Sequence, residues 1–169
     1  MKEQLKEITL DALDLAILNQ LQTDCSMNNQ ELARLVHVSP ATCLRRVKRL
    51  VDEGMIQRQI ALVDSDLLAQ RLGHGLTAIV EITLDRQDQE AMQAFEARVA
   101  PDAAVQQCYR VSPGPDFILV VHANDMPGYH ALSQRLFTSH ANVRNVKAFF
   151  SIRRAKFEPR LPLERPARP

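Results

Sequence analysis

The 169-residue sequence predicts an α+β protein in two parts, because its hydrophobic pattern changes period once along the chain. Over residues 1–63, apolar residues recur every three or four positions, as in short helices. From residue 74 to residue 157, alternating stretches typical of strands are interrupted twice by helical stretches. The charge divides as well: residues 1–63 hold 8 basic and 8 acidic side chains, 64–143 hold 5 and 10, and 144–169 hold 8 and 2. The formal net charge of +1 is therefore a cancellation, and it does not exclude a nucleic-acid binder.

The first part begins with two predicted helices. Leu13, Ile17 and Leu21 share one helical face, and they predict a first helix over about 11–22 that is capped by Asp11 or Thr9. A second, short helix over about 29–36 has Asn28 or Asn29 available as its N-cap. We expect these helices to pack through their apolar faces.

A third helix has the clearest local signal in the chain. Ser39 is a favoured N-cap, Pro40 suits the first helical turn, and Gly54 suits the left-handed position after the helix. Four apolar residues of this helix are expected to face inward: Leu44, Val47, Leu50 and Val51. The Ile- and Val-rich segment 55–64 predicts a short β-ribbon, so the whole has the layout of a winged helix-turn-helix.

This layout points to DNA. A helix fits the major groove, where residues near its N-terminus contact base edges and arginines pair with guanine or phosphate. Thr42, Arg45, Arg46 and Arg49 are expected to lie outward and contact DNA, while Asn29, Ser39 and Pro40 orient the helices. The alternative is a solvated basic helix face without a partner.

The second part predicts the order βαββαβ of a ferredoxin-like domain. The strands are expected over 76–84, 105–111, 117–123 and 143–156, with helices around Met92–Val99 and Tyr129–Phe137. Both helices of this fold cover one face of the antiparallel sheet, so the other face is left open. Ile79, Ile118, Val120 and Phe149 are expected on that open face or its border, and we expect a homodimer to form through it.

Several motifs of the first part together resemble the DNA-binding domain of the Lrp/AsnC (leucine-responsive/asparagine, or feast-famine) transcriptional regulators. They are Leu10-Asp11 with Asp14 and Ile17-Leu18, Glu31-Leu32-Ala33, Ser39-Pro40 with Arg46-Val47 and Leu50, and Gly54-x-Ile56. The resemblance extends over about residues 9–163 and ends at Leu161-Pro162-Leu163. It implies that the second part is an effector-binding domain of amino-acid metabolism regulators (a RAM domain), which pairs sheet to sheet and often assembles into tetramers or octamers.

The resemblance also implies a set of functional residues. The positions matching the DNA-binding region, including the residues chosen above, are Asn29, Ser39, Pro40, Thr42, Cys43, Arg45, Arg46 and Arg49. A dimer with two such helices predicts a pseudo-palindromic operator in double-stranded DNA, with half-sites about one helical turn apart. For a free amino acid bound between dimers, the positions matching the family's effector site are Asp116, Met126, Phe149, Phe150 and Ser151. Ser112 and Gly114 are added as candidates because the same turn offers a hydroxyl group and accessible backbone.

The proposed effector loop departs from the family pattern, which usually has glycine, an acid and an aromatic residue before the aspartate. Here Pro113, Gly114 and Pro115 stand at those positions, so the loop has lost an acceptor and an aromatic wall. Two interpretations of Asp116 stay open: it binds the effector, or it caps the turn. An effector-independent or architectural DNA-binding protein, and an amino-acid-binding module that controls an enzyme, remain alternative functions.

The remaining features set broad limits. We expect domain boundaries at 1–63, a short structured linker at 64–73, the second domain at 74–157 and a Pro- and Arg-rich arm at 158–169, solvated rather than bound to DNA.

The longest uncharged run has ten residues and no secretory signal is recognisable, so we expect a cytoplasmic protein without a membrane span. No catalytic motif is found, and no cofactor is expected. Cys25, Cys43 and Cys108 form no C-x-x-C pair, and His122, His130 and His140 lack metal-site spacing, which leaves them as packing or surface residues.

Overall fold

The structure is a computed structural model, and it describes residues 9–73, 75–139 and 142–163. The chain forms two compact units: unit 1 comprises residues 1–62 together with 157–169, and unit 2 comprises residues 63–156. Among the described residues, no helix is long and apolar enough to cross a membrane. His140, for which a structural or surface role is expected, lies outside the described residues.

Unit 1 contains three helices, and their starts follow the predicted caps. Helix α1 spans Ala12–Thr23, α2 spans Asn29–Leu35 and α3 spans Pro40–Asp52. Asp11 caps α1, Asn28 caps α2 and Ser39 caps α3, each by accepting a backbone N–H from the first turn. Gly54 follows α3 with φ +74°, as predicted for the left-handed residue that ends a helix.

The core of unit 1 corrects the predicted orientation of α3. Its buried members are Ile17, Leu32, Ala33, Cys43 and Leu50, with Val47 packed against them. Leu44 and Val51, expected inward, are instead 59% and 49% exposed. Cys43 and Leu50 are seven residues apart, so their side chains point almost the same way from α3. Together with Val47 between them, they form the side of α3 that packs into the core of unit 1.

The predicted β-ribbon over 55–64 is wrong for the single chain. No strand is present in that segment, and Ile60, Leu62 and Val63 are exposed. A strand requires a partner for its N–H and C=O groups, and the described residues provide none here. The predicted linker instead contains a helix, α4 over Ser65–Leu72, which has no buried residue.

Unit 2 has the predicted ferredoxin-like topology. Strands β1 (Leu76–Leu84), β2 (Val105–Arg110), β3 (Phe117–Ala123) and β4 (Val143–Phe150) form one antiparallel sheet in the order β2-β3-β1-β4. Helices α5 (Gln89–Val99) and α6 (Met126–Ser133), with a π-helical turn at Gln134–Thr138, pack on one face. The last strand ends at Phe150 and not at Lys156, and after Ser151, whose N–H donates to the Thr77 carbonyl, the described chain has no further strand.

The C-terminal arm returns to unit 1. The Gln22 side chain accepts the Leu161 N–H at 2.7 Å and donates to the Leu161 carbonyl at 3.2 Å, while Asn19 Nδ2 donates to the Leu163 carbonyl at 3.4 Å. The described arm residues are mostly exposed, as expected, and the backbone at Leu161 and Leu163 is in addition hydrogen-bonded to side chains of α1.

Candidate functional site

The outward surface of α3 is the candidate DNA-binding surface. Ala41, Arg45 and Lys48 are exposed there, at spacings of four and three that align them along one side of the helix. Arg45 is among the residues predicted from the sequence, whereas Lys48 is not. The sequence signal for Lys48 is its distance of three residues from Arg45, which places the two side chains on the same outward side of α3.

The start of α3 is held as the sequence predicts. Ser39 Oγ accepts the Thr42 N–H at 3.2 Å and is hydrogen-bonded to the Thr42 hydroxyl at 2.9 Å. Asn29 Nδ2 donates to the Pro40 carbonyl at 2.9 Å and so connects the first turn of α2 to the first turn of α3. These contacts support the predicted role of Asn29, Ser39 and Pro40 in fixing the angle between the two helices.

A buried carboxylate joins α1 to α3. The Asp14 side chain is 0% exposed and accepts hydrogen bonds from Arg46 Nη1 at 3.1 and 3.2 Å, from Arg49 Nη2 at 2.5 Å and from the Asp11 N–H at 3.0 Å. Asp11 contributes a second carboxylate, 2.7 Å from Arg46 Nη1. We call these four side chains, Asp11, Asp14, Arg46 and Arg49, the α1–α3 clamp.

The clamp is electrostatically coupled. The backbone N–H of Asp14 and, after it, the Arg46 guanidinium hold the pKa of Asp11 below its usual value, although burial opposes the shift. The hydrogen bond to Asp11 raises the pKa of Arg46 in return. Each charged state therefore stabilises the other, which fixes the position of α3 against α1.

The clamp changes the roles of three predicted DNA-binding residues. Arg46 and Arg49 are only 24% and 36% exposed, and their guanidinium groups are directed to α1. Cys43 is fully buried, so its side chain does not reach the DNA-binding surface, and burial raises the pKa of its thiol. The sequence signal for the clamp is Asp14 itself, a charged residue within the apolar stripe of Leu10, Ile17 and Leu21.

The predicted effector loop forms the turn between β2 and β3. Ser112, Pro113 and Gly114 lie in this turn, and Gly114 has φ +123°, a conformation that residues with a Cβ rarely adopt. Asp116 is buried, and its Oδ2 accepts the Leu84 N–H at 2.7 Å and Gln87 Nε2 at 3.2 Å. Both partners lie outside the 112–115 turn, so within one chain the Asp116 carboxylate holds the loop to the end of β1, and neither turn capping nor effector binding is decided by these contacts.

The other predicted effector residues lie at the opposite end of the sheet. β3 runs from Phe117, beside Asp116, to Ala123, so Met126 lies about 20 Å from the loop at roughly 3.3 Å per strand residue. Phe150 and Ser151 are at this same far end, because Phe150 pairs with Ala78 and the Ser151 N–H donates to the Thr77 carbonyl. One chain therefore does not bring the predicted effector residues together.

The two neighbouring phenylalanines face opposite sides of the sheet. Phe150 packs edge-on against Tyr129 of α6, with ring centroids 5.0 Å apart. Phe149 pairs with Ile79 on the face without helices, where Val120 and Ile118 also lie. This face is the open face predicted from the sequence, and its exposed members include Ile79 and Phe149.

A groove of about 410 Å³ runs along α5, and none of the predicted effector residues lines it. Glu90, Phe95 and Arg98 are among its lining residues. Arg98 stacks over the Phe95 ring at 5.1 Å, and partial burial lowers its pKa. These contacts give Arg98 a role in packing α5.

Comparison with known proteins gives matches over both units. Residues 10–57 match the winged helix-turn-helix DNA-binding family, and residues 77–161 match the Lrp/AsnC ligand binding domain. An uncharacterized HTH-type transcriptional regulator of Haemophilus influenzae is 37% identical, over 84% of this chain and 82% of its own. The leucine-responsive regulatory protein of Salmonella typhimurium is 34% identical, with 90% of each chain covered. The structure of a Neisseria meningitidis transcriptional regulator in complex with L-Met superposes with a TM-score of 0.76 at 30% identity, over 91% of this chain and 97% of that one.

Proposed function

Because the chain belongs to the Lrp/AsnC family of transcriptional regulators, we propose that it binds an operator through α3 and regulates transcription of genes of amino-acid metabolism. The relatives that it matches are transcriptional regulators and not enzymes. A regulator of chromosomal DNA acts in the cytoplasm, on the nucleoid.

The observation that supports DNA binding most directly is the exposed row of Ala41, Arg45 and Lys48 on a helix whose start is held by hydrogen bonds. A positioned helix with a small residue near its N-terminus approaches base edges closely, and the two cations that follow meet guanine or phosphate. Arg46 and Arg49 act indirectly, because they hold α3 against α1 through Asp14.

The test is a double substitution, Arg45→Ala with Lys48→Ala, in the full chain. Operator fragments are first selected from random double-stranded DNA with the unmodified protein, and affinity is then measured over a range of salt. We expect the variant to bind more weakly and its log–log salt slope to fall by about 0.9 for each phosphate that it no longer neutralises. The matched control is Arg144→Ala, which removes an exposed cation from β4 in unit 2. Equal affinity and equal slope for the variant and the unmodified protein would show that α3 does not bind DNA.

The open sheet face supports a homodimer. Ile79, Val120, Ile118 and Phe149 form an apolar patch without helices over it, and a second copy of the same face covers such a patch by two-fold symmetry. A two-fold dimer carries two α3 helices and therefore binds a pseudo-palindromic operator with half-sites about 34 Å apart. Tetramers or octamers of such dimers strengthen binding further, because each added DNA-binding unit acts at high local concentration.

The proposed effector is a free amino acid bound by unit 2. The regulator of N. meningitidis that this chain resembles was solved with L-Met, which supports an amino acid as the ligand class. Since Asp116 and Met126 are at opposite ends of the sheet, the effector site is proposed to form between protomers, with the loop of one near the far end of another. Because the Pro113-Gly114-Pro115 sequence of the loop departs from the family pattern, leucine is not assumed to be the ligand.

A thermal-shift screen of the twenty amino acids tests this part separately, with L-Met as the first probe and sedimentation as a second measurement. We expect one or a few amino acids to raise the melting temperature of the oligomer and to change its mass, because a regulatory ligand binds one assembly state better than another. If none shifts either quantity while DNA binding persists, the chain is an effector-independent regulator. If amino acids bind but selected DNA is not retained, a module that controls an enzyme becomes the better explanation.

A further inference from the structure

Leu44 is a large apolar residue on the DNA-binding surface. It lies on α3 between Pro40 and Lys48, one turn from each, and next to Arg45, and its exposure is 59%. It belongs neither to the buried core of unit 1 nor to the apolar residues packed against that core. The inner side of α3 is already filled by Cys43, Val47 and Leu50, so the fold does not require a leucine at this position.

The surroundings of Leu44 indicate what covers it. Arg45 follows it directly and Lys48 lies one turn further on, and both are cations on the outward surface. Two copies of this surface repel each other, whereas the phosphates that border the major groove attract it. Within that groove, thymine is the base with an apolar group at its edge, the C5-methyl.

Val51 provides a comparison on the same helix. It is also apolar and 49% exposed, but the next two residues are acidic, Asp52 and Glu53. Glu53 lies 3.9 Å from Arg49, but the exposed Asp52 directly follows Val51, whereas the exposed Arg45 directly follows Leu44. Phosphate repels the carboxylate and attracts the guanidinium, so the two exposed apolar residues of α3 differ in the charge beside them.

We propose that Leu44 determines operator specificity by packing against the C5-methyl group of a thymine in the major groove. This proposal rests on the proposed DNA-binding function and adds a specificity residue to it. Arg45 and Lys48 position the helix through phosphate or guanine, and Leu44 then distinguishes thymine from the bases that lack a methyl group at this edge.

The experiment removes the methyl group from the DNA and the side chain from the protein, singly and together. Each thymine of a selected half-site is replaced in turn by deoxyuridine, which differs from thymidine only by the methyl group. Affinity is measured for the unmodified full chain, for Leu44→Ala and for the control Val51→Ala. We expect one thymine at which deoxyuridine weakens binding of the unmodified protein about fourfold, the effect of exposing one methyl group. Leu44→Ala is expected to remove this sensitivity, and Val51→Ala is expected to retain it.

Each other outcome overturns the proposal. If deoxyuridine has no effect at any thymine, or if Leu44→Ala keeps the full sensitivity, Leu44 does not contact a thymine methyl group. If Leu44→Ala lowers the oligomer mass and leaves the sensitivity intact, a second copy of the chain covers the residue instead. If the unmodified protein selects no sequence at all, the DNA-binding function itself fails, which is a distinguishable result. The deoxyuridine scan of the unmodified protein requires no variant and so does not depend on how Leu44→Ala folds.

Discussion

The α1–α3 clamp allows a quantitative prediction for Asp14→Asn. The substitution keeps the size of the side chain but removes its charge, and its amide group then faces the donors of Arg46 and Arg49. Breaking a buried ion pair on one side costs about 3–5 kcal/mol. We take the lower value, about 3 kcal/mol, because the two guanidinium groups are partly exposed and regain water when they are released.

The assay needs a reporter within unit 1, since both tyrosines of the chain, Tyr109 and Tyr129, are in unit 2 and there is no tryptophan. Cys43 serves this purpose, because it is fully buried in the core of unit 1. With Cys25 and Cys108 replaced by serine, the rate of thiol labelling reports how often that core opens. A decrease of about 3 kcal/mol in the free energy of opening corresponds to labelling about 150 times faster.

The control for this prediction is Asp52→Asn, which makes the same chemical change at an exposed position of α3 and is expected to leave the labelling rate nearly unchanged. If Asp14→Asn labels no faster than the control, the clamp contributes no stability, and the assignment of Arg46 and Arg49 as structural residues is refuted.

Three further predictions concern other parts of the molecule. Asp11→Asn is expected to destabilise unit 1 near neutral pH but not in acid. The Asp14 N–H and then Arg46 lower the Asp11 pKa in the folded state, so the contribution of Asp11 is present above about pH 4 and is lost as the pH falls through the lowered value. Urea unfolding followed by helical circular dichroism over this pH range measures the difference between the two proteins, and a constant difference would contradict the reasoning. Asp116→Ala leaves the Leu84 N–H without a partner and is expected to lower the melting temperature of unit 2 by about 5–10 °C, measured by tyrosine fluorescence. An unchanged temperature would argue that the Asp116 carboxylate does not stabilise the end of β1. Ile79→Glu places a charge on the open sheet face and is expected to reduce the sedimenting mass toward that of one protomer. A charge placed on the exposed side of α5 is the control and is expected to leave the mass unchanged. If Ile79→Glu also leaves the mass unchanged, the dimer interface lies elsewhere.

The elements predicted correctly from the sequence are those whose signals are local. β1 and β3 have the predicted bounds, because β1 alternates between apolar and mainly polar residues and β3 is an apolar run that follows the turn Ser112-Pro113-Gly114-Pro115. The start of α3 is equally clear, since a serine cap followed by proline is stabilised by its own first turn. The order of the strands follows from topology rules that apply once the elements are known.

The features that the sequence does not predict depend on partners distant along the chain. Leu44 is expected inward because its spacing from Val47 and Leu50 is helical, but the width of the buried stripe depends on how α1 and α2 approach. Arg46 is expected on DNA because it is a cation on α3, whereas the carboxylate that engages it lies 32 residues away in sequence. The spacing of the proposed effector residues does not indicate that they occupy both ends of one sheet.

The hydrogen bond between Gln22 and Leu161 closes a loop of 139 residues. For a flexible chain, closing a loop of that length costs about 4 kcal/mol in entropy, whereas a typical hydrogen bond returns only about 1 kcal/mol. Three such hydrogen bonds join Leu161 and Leu163 to α1, so together they offset most of this cost. Gln22 makes two of the three, and its loss alone is therefore expected to release the arm from the helix that carries Asp14.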